Sequence, residues 1–310
     1  MEKKILIAVD DSVHSNYAIQ YASRLAEHVK NVRFTIFHVQ PMISQYLLDE
    51  AQKDSKSRAE LEKVIAKNSE VGRDLLDNLK KKMVRKGIAE EFIKPVTHTR
   101  MRGLARDILD YSQSGQFDAL LMGRRGLSGI RGAIMGSVSS NILEHSKSMP
   151  VWLIDGEVDF SKILFAVDGS ENSLKAVDHL AAIMGNTPDI KILFFHVQPK
   201  ISDFCPIDFE AADSDRLEEI IMKGDKRCID QFFAHALKRL KAAGFEDNQI
   251  EVKTSKALLN PGKAIIEEAK QGSFGTILIG RRGINKAFFT GSVSHYVISQ
   301  MSNRALWIVP

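Results

Sequence analysis

The sequence predicts an α/β protein: two tandem five-stranded parallel-sheet domains, Rossmann-like, packed as an intramolecular pseudo-dimer. Three observations carry that prediction. Short runs of Ile, Val, Leu and Phe alternate with longer segments of helical period, the pattern of βαβ units. Four motifs occur twice at nearly constant spacing. At 310 residues the chain has room for two domains, each able to bury its own core.

The repeats fix the organisation. Val9-Asp10-Asp11-Ser12 recurs as Val167-Asp168-Gly169-Ser170, and Phe37-His38-Val39-Gln40-Pro41 as Phe195-His196-Val197-Gln198-Pro199, both at an offset of 158. Gly123-Arg124-Arg125-Gly126 returns at Gly280-Arg281-Arg282-Gly283, offset 157, and Gly136-Ser137-Val138-Ser139 at Gly291-Ser292-Val293-Ser294, offset 155. The chain is a tandem duplication, with domains expected at 1–156 and 157–310 and a short tether, Asp155 to Ser161, between them.

In the first copy, strands are expected at Lys4 to Val9, Arg33 to Val39, Phe92 to Thr97, Ala119 to Met122 and Val151 to Ile154. Helices are expected from Val13 to Val29, Arg58 to Arg85, Leu104 to Tyr111 and Ser137 to Ser146. On the long helix, Leu61, Ile65, Val71, Leu75, Leu79 and Met83 fall roughly on one face and read as core. The second copy repeats the strands at Lys162 to Val167, Ile190 to Val197, Gln249 to Lys253, Thr276 to Ile279 and Leu306 to Val309. Its long helix carries Leu217, Ile220, Ile221, Cys228, Phe232, Ala236 and Leu240 on the apolar stripe, which makes Cys228 a small buried hydrophobe. Both copies end in hydrophobic strands, and pairing those two edges would remove an aggregation hazard.

Composition narrows the function classes. Charged residues make up 26% and hydrophobic ones 44%, the balance of a globular protein in water. The net charge is +4 and the pI near 8.9, but basic and acidic residues are interleaved, which reads as solvated helix faces rather than a nucleic-acid stripe. No apolar run approaches the ~18–20 residues of a membrane span, and Met1-Glu2-Lys3-Lys4 leads into a strand rather than a signal segment. Cys205 and Cys228 lack metal or redox spacing. A cytoplasmic location, no membrane partner and no nucleic acid are expected.

The chemistry-bearing residues fall at strand ends, where an open parallel sheet binds ligands. Asp10 closes strand 1 and can accept hydrogen bonds from a ribose or a base amine. Groups beside Val39 can read a base edge. The segment from Met122 and Gly123 to Ser139 can cradle phosphate through backbone N–H groups and a helix start. Arg125 adds a full positive charge. Capping of the first helix falls to Asp11 or Ser12. His38 and His196 sit inside apolar strands and read as satisfied core histidines. Neither a P-loop nor a dinucleotide fingerprint is present.

These residues give the resemblance its content. Gly123, Gly126, Gly136 and Ser137 match G-x2-G-x9-G-[ST], and with the Asp after strand 1 and His-Val at the end of strand 2 the first copy looks like a universal stress protein domain of the ATP-binding kind. The layout resembles tandem universal stress proteins over almost the entire chain. The resemblance implies strand order 3-2-1-4-5, dimer-like pairing of domains through their last strands, and ATP held with Mg or Mn. Carried over by position, it places Ala8, Val9 and Asp10 on the adenosine side, Val39 at the base, and Met122, Gly123, Arg125, Gly126, Gly136, Ser137, Val138 and Ser139 along ribose and phosphates.

In the second copy Asp168, Val197, Gly280, Gly283, Gly291 and Ser292 occupy the corresponding places. There, however, seven residues rather than nine separate the second and third glycines, which shortens the loop by up to ~7 Å of contour. Phe288 and Phe289 enter, and the glycines matching Gly129 and Gly132 are gone. Nucleotide is therefore expected mainly in the first domain, as a regulatory or stabilising ligand without fast turnover. The alternatives are a slow ATPase, or an interaction module whose second domain takes a non-nucleotide ligand. An unknown protein partner is implied, and a homodimer of the tandem chain is left open.

Overall fold

The computed structural model describes residues 2–125, 135–198, 211–256, 260–281 and 292–310, and the chain divides into two compact units, Met1–Glu157 and Val158–Pro310. In the first unit the strands are β1 (Lys3–Ala8), β2 (Val32–Val39), β3 (Ile93–His98), β4 (Ala119–Gly123) and β5 (Val151–Asp155). They pair in parallel in the order β3-β2-β1-β4-β5. In the second unit β6 (Lys162–Val167), β7 (Lys191–Gln198), β8 (Ile250–Lys256), β9 (Thr276–Gly280) and β10 (Arg304–Val309) pair in parallel in the order β8-β7-β6-β9-β10. All ten strands agree with the sequence expectation to within a few residues at their ends.

The central strands are covered on both faces. Ile5, Leu6 and Ile7 of β1, Leu120 and Leu121 of β4, and Ile163, Leu164 and Phe165 of β6 are all fully buried, which is why these runs read as continuously apolar rather than alternating. Helix α1 (Val13–His28) presents Ala18, Ile19, Ala22 and Leu25 to the sheet, the i, i+4, i+7 spacing of one helical face. Its second-domain counterpart α6 (Glu171–Met184) buries Ala176, Val177, Leu180, Ile183 and Met184.

The segment between β2 and β3 departs from expectation. It holds two helices, α2 (Gln45–Lys53) and α3 (Ser55–Arg85). The break falls at Asp54, an extended residue whose carboxylate accepts from the Ser57 N–H at 2.8 Å and so starts a new helix. On α3, Leu79 and Met83 are buried as expected, but the middle of the apolar stripe lies one residue off: Gly72 and Leu76 are buried, whereas Ile65 and Val71 are exposed and Leu75 only half-buried.

The remaining helices are α4 (Leu104–Ser114), α5 (Ser137–His145), α7 (Ala211–Ala242), α8 (Pro261–Gln271) and α9 (Ser292–Gln300). On α7 the buried stripe is Ile229, Phe232, Ala236 and Leu240. Cys228 precedes it by one position and is exposed, with its thiol against the Gly169 backbone. The expectation of a buried Cys228 is thereby corrected, as is that of Ile220, which is 60% exposed. Cys205 lies outside the described residues, as does the Leu217 side chain.

Candidate nucleotide-binding cleft

Strands β1 and β4 are neighbours, yet the chain leaves β1 toward β2 and leaves β4 toward β5, in opposite directions. That divergence opens a crevice beyond their carboxyl ends. In the first domain it is a cleft of about 780 Å³. Ala8, Val9 and Asp10 enter it from the end of β1, Val39 from β2, Met122, Gly123 and Arg125 from β4, and Gly136, Ser137, Val138 and Ser139 from the start of α5. Every sequence-predicted residue of this domain that the structure describes lines the cleft. Gly126 lies outside the described residues.

Asp10 is held by its own corner. Its Oδ1 accepts from the Ser12 N–H at 3.2 Å and the Ser15 hydroxyl at 2.7 Å, while its N–H donates to Ser15 Oγ at 2.8 Å. Ser12, not Asp10, caps α1, accepting from the Ser15 N–H at 3.2 Å. The capping duty thus falls on Ser12, as the order of the residues suggests, and the carboxylate of Asp10 is fixed beside the cleft. His38 lines the same cleft and donates from Nδ1 to the Val9 carbonyl at 3.1 Å. It is a tether between β2 and the end of β1.

Gly123 is glycine for a reason other than approach to a ligand. A Cβ there would lie 2.6 Å from His14 Cβ and 2.8 Å from the His14 carbonyl carbon, so only glycine lets the first turn of α1 cross β4 this closely. The following two arginines divide the work. Arg124 is 3% exposed, donates to Asp155 at 3.1 Å and makes a backbone bond to Ile154. Burial lowers the pKa of its guanidinium and Asp155 offsets part of that. Arg125 lines the cleft, and its buried Nε has no hydrogen-bond partner among the described residues. Beside them His14 has its pKa lowered by burial first, with Arg125 and Arg124 adding to the effect against Asp155 and Asp10.

The start of α5 is pinned back onto β4. Gly136 donates its N–H to the Arg124 carbonyl at 3.2 Å, and the Ser139 hydroxyl donates to the Gly123 carbonyl at 3.2 Å. No side chain caps α5 at Gly136, so its first-turn N–H groups face the cleft as donors. That end is suited to an anion.

The other end of the cleft was not anticipated from the sequence. Arg100, Arg102, Gly103 and Leu104, from the corner between β3 and α4, line it. Gly103, at φ +129°, has no capping side chain. Asp107 instead reaches back from the first turn of α4 and accepts the N–H groups of Met101 at 2.9 Å, Arg102 at 3.0 Å and Gly103 at 3.3 Å. Burial works to raise the Asp107 pKa, but these three donors prevail and hold it below the ordinary carboxylate value. A clue was legible: a helix start with no Ser, Thr or Asn at the cap but an acidic residue four positions on.

The second domain repeats the first corner closely. Asp168 accepts from the Ser170 N–H at 3.1 Å and the Ser173 hydroxyl at 2.8 Å, and Ser170 caps α6. Val197, half-buried, is the last residue but one of β7, and a Cβ on Gly280 would lie 2.8 Å from the Asn172 backbone, as one on Gly123 would from His14. His196 bonds the Val167 carbonyl at 3.0 Å and adds Asp225 at 2.9 Å from its other nitrogen, a satisfied buried histidine. Ser292 begins α9. Gly283 and Gly291 lie outside the described residues, with the whole of the shortened loop.

Comparison with known proteins decides the family. The sequence profile described as "Universal stress protein family" matches residues 1–155 and again 159–309. The chain belongs to the universal stress protein family. As a tandem member it is 25% identical over 313 residues to a universal stress protein of Mycolicibacterium smegmatis, covering 98% of this chain and 95% of that one. Among solved structures, a universal stress protein from Archaeoglobus fulgidus superposes with a TM-score of 0.65 at 21% identity, covering 99% of this chain and 97% of the other. A functionally unknown protein from Pseudomonas aeruginosa PAO1 superposes with a TM-score of 0.59 at 14% identity, covering 99% and 92%. At these identities the two structures speak for the universal stress protein fold alone. No helix among the described residues is long and apolar enough to cross a membrane.

Proposed function

We propose that this universal stress protein binds ATP in its first domain, as a regulatory or stabilising ligand rather than a rapidly turned-over substrate. The observation that carries the reading is the convergence of Asp10, Val39, Arg125 and the uncapped start of α5 on one cleft at the topological switch point. In this reading Val39 and Ala8 flank the base, and the Asp10 carboxylate accepts a ribose hydroxyl. The first N–H groups of α5 and the Arg125 guanidinium hold phosphate oxygens, a site with both amide donors and a full charge. The unpartnered Arg125 Nε is a buried donor that a phosphate would satisfy.

Mg or Mn would enter with the nucleotide. Among the described residues no three His, Cys, Asp or Glu side chains cluster to hold a metal, so phosphate oxygens and water would supply most of its ligands, as suits a small hard cation. Asp10 is the one carboxylate among the described residues of the cleft lining. In the second domain, the shortened loop after Gly280 supports weaker nucleotide binding or a different ligand.

Equilibrium titration of the full chain with ATP tests the reading. One strong site is expected, weakened at least tenfold by Arg125→Ala and by Asp10→Asn. Undiminished affinity in both variants would overturn the assignment. The control pair at the matching positions of the second copy, Arg282→Ala and Asp168→Asn, is expected to leave the strong site intact.

A further inference from the structure

ATP held as proposed brings its phosphates to one end of the cleft and leaves the other end with unanswered positive charge. Among the described residues the lining contains four arginines, Arg100, Arg102, Arg106 and Arg125, against one carboxylate, Asp10. Arg102 and Arg106 are both paired with Asp110, at 3.4 and 3.1 Å. Among the described residues Arg100 has no such pairing, and its buried Nε has no hydrogen-bond partner. It shares that condition with Arg125, which follows β4, whereas Arg100 follows β3. In the order β3-β2-β1-β4 these two strand ends are three steps apart, about 14 Å at ~4.8 Å per step. One triphosphate gathered at the α5 start does not answer both.

The Arg100 corner is also built rather than incidental. The three N–H groups of residues 101–103 are all consumed by Asp107, so the loop turns no backbone donor toward the cleft and fixes the base from which the Arg100 side chain projects. The second domain lacks the device. By the common helix start, Ala257, Leu259 and Ala264 stand at the positions of Arg100, Arg102 and Asp107, and Asn260 caps α8 directly by accepting from the Gly262 N–H at 2.8 Å.

We infer that the ligand of the first domain is a nucleotide phosphorylated on its ribose as well as on its 5′ side, with Arg125 and the α5 start receiving the 5′-phosphates and Arg100 receiving the ribose phosphate. An unpartnered guanidinium in a partly desolvated cleft is suited to a phosphate through paired N–H donors, and an anion there removes the cost of its buried, unsatisfied Nε. This inference rests on the reading of the cleft as a nucleotide site.

The test compares AMP with adenosine 3′,5′-bisphosphate, and ADP with its 3′-phosphorylated form, by titration of the full chain at low and at physiological salt. The extra phosphate is expected to tighten binding about tenfold, with a smaller gain as salt rises. Arg100→Gln is expected to abolish the gain while leaving AMP and ADP affinity within about twofold, and Arg100→Lys to restore part of it. No gain in the natural protein, or a gain that survives Arg100→Gln, overturns the inference. Equal weakening of all four ligands by Arg100→Gln also overturns it, since the guanidinium would then be stacking on the base. The two readings fail separately. If no nucleotide binds, the nucleotide site itself falls; if ATP binds and the 3′-phosphate adds nothing, only the role of Arg100 falls.

Discussion

The two domains carry the same first corner and different third corners. At β1–α1 and β6–α6 the pattern is repeated atom for atom: a carboxylate taking a backbone N–H and a serine hydroxyl, then a serine cap. At β3–α4 and β8–α8 the two copies have traded devices, Asp107 reaching back in one and Asn260 capping forward in the other. Asn260 satisfies an N–H of the helix it caps, whereas Asp107 satisfies the three N–H groups of the loop before its helix, and each fixes its corner. What differs is what the corner presents to the cleft. The duplication therefore conserves what holds helices to strands and varies what a ligand would meet.

That contrast can be broken most forcefully at the shared glycines. Gly123→Ala and Gly280→Ala each place a Cβ under 3 Å from helix backbone, and each is expected to cost about 2–3 kcal/mol by overpacking, read by chemical denaturation. Unequal losses would mean that the two corners are not equivalent. Asp10→Ala and Asp168→Ala come next, at about 2 kcal/mol apiece for a lost charge-assisted hydrogen-bond cluster. Only Asp10→Ala is expected to lower ATP affinity, by at least tenfold in titration.

A smaller asymmetry lies beside the last strand of each domain, where Trp152 and Trp307 are buried and His179 is half-buried. Tyr21 packs edge-on to Trp152 in the first domain, and His179 takes the matching place against Trp307, at 5.7 Å. Desolvation pushes the His179 pKa down to about 3, so the native ring stays neutral while the unfolded one takes a proton below pH ~6.5. The unfolded state then binds more protons, and stability falls as pH falls from about 6.5 toward 3. Between pH 6.5 and 5 the loss is expected to be about 1–2 kcal/mol. His179→Phe should flatten that slope in thermal melts across pH, and Tyr21→Phe should not. The mildest effect is expected at Asp107→Asn, about 1 kcal/mol with a few-fold loss of nucleotide affinity. The stability that Asp107 contributes is present above the unfolded carboxylate pKa and lost as pH falls through its lower folded value.

The strands, the tandem layout and the placing of Asp10, Val39 and Gly123 at strand ends were legible because each rests on a local pattern of apolar runs and repeats, whereas the sheet order and the other first-domain cleft residues came with the resemblance to universal stress proteins. Registers within long helices were not. The stripe on α3 was read through Val71 and Leu75, but Gly72 and Leu76 face the sheet, where Gly72 fits beneath His38 and Thr97. The same one-residue slip put Cys228 in the core in place of Ile229. A 31-residue helix with an exposed first half offers too few fixed points to set its phase. Helix α2 escaped notice because Ala51 is its one buried residue and Tyr46 and Leu47 are exposed. The Arg100 corner has a single faint signal in the sequence, the acidic Asp107 four positions after a glycine helix start, because Asp107 acts through backbone N–H groups that any residue supplies.

The bonds from Gly136 to Arg124 and from Ser139 to Gly123 have a genetic consequence. They close the chain between Arg125 and Met135 into a cassette whose two ends are tied together at the sheet, so its length is uncoupled from the register of β4 and α5. In the second domain Arg281 is anchored to Val309 as Arg124 is to Ile154, and α9 keeps the nine residues of α5 although the cassette is two residues shorter. Insertions, deletions and exchanges between the copies can accumulate there without shifting the strand against the helix that follows it.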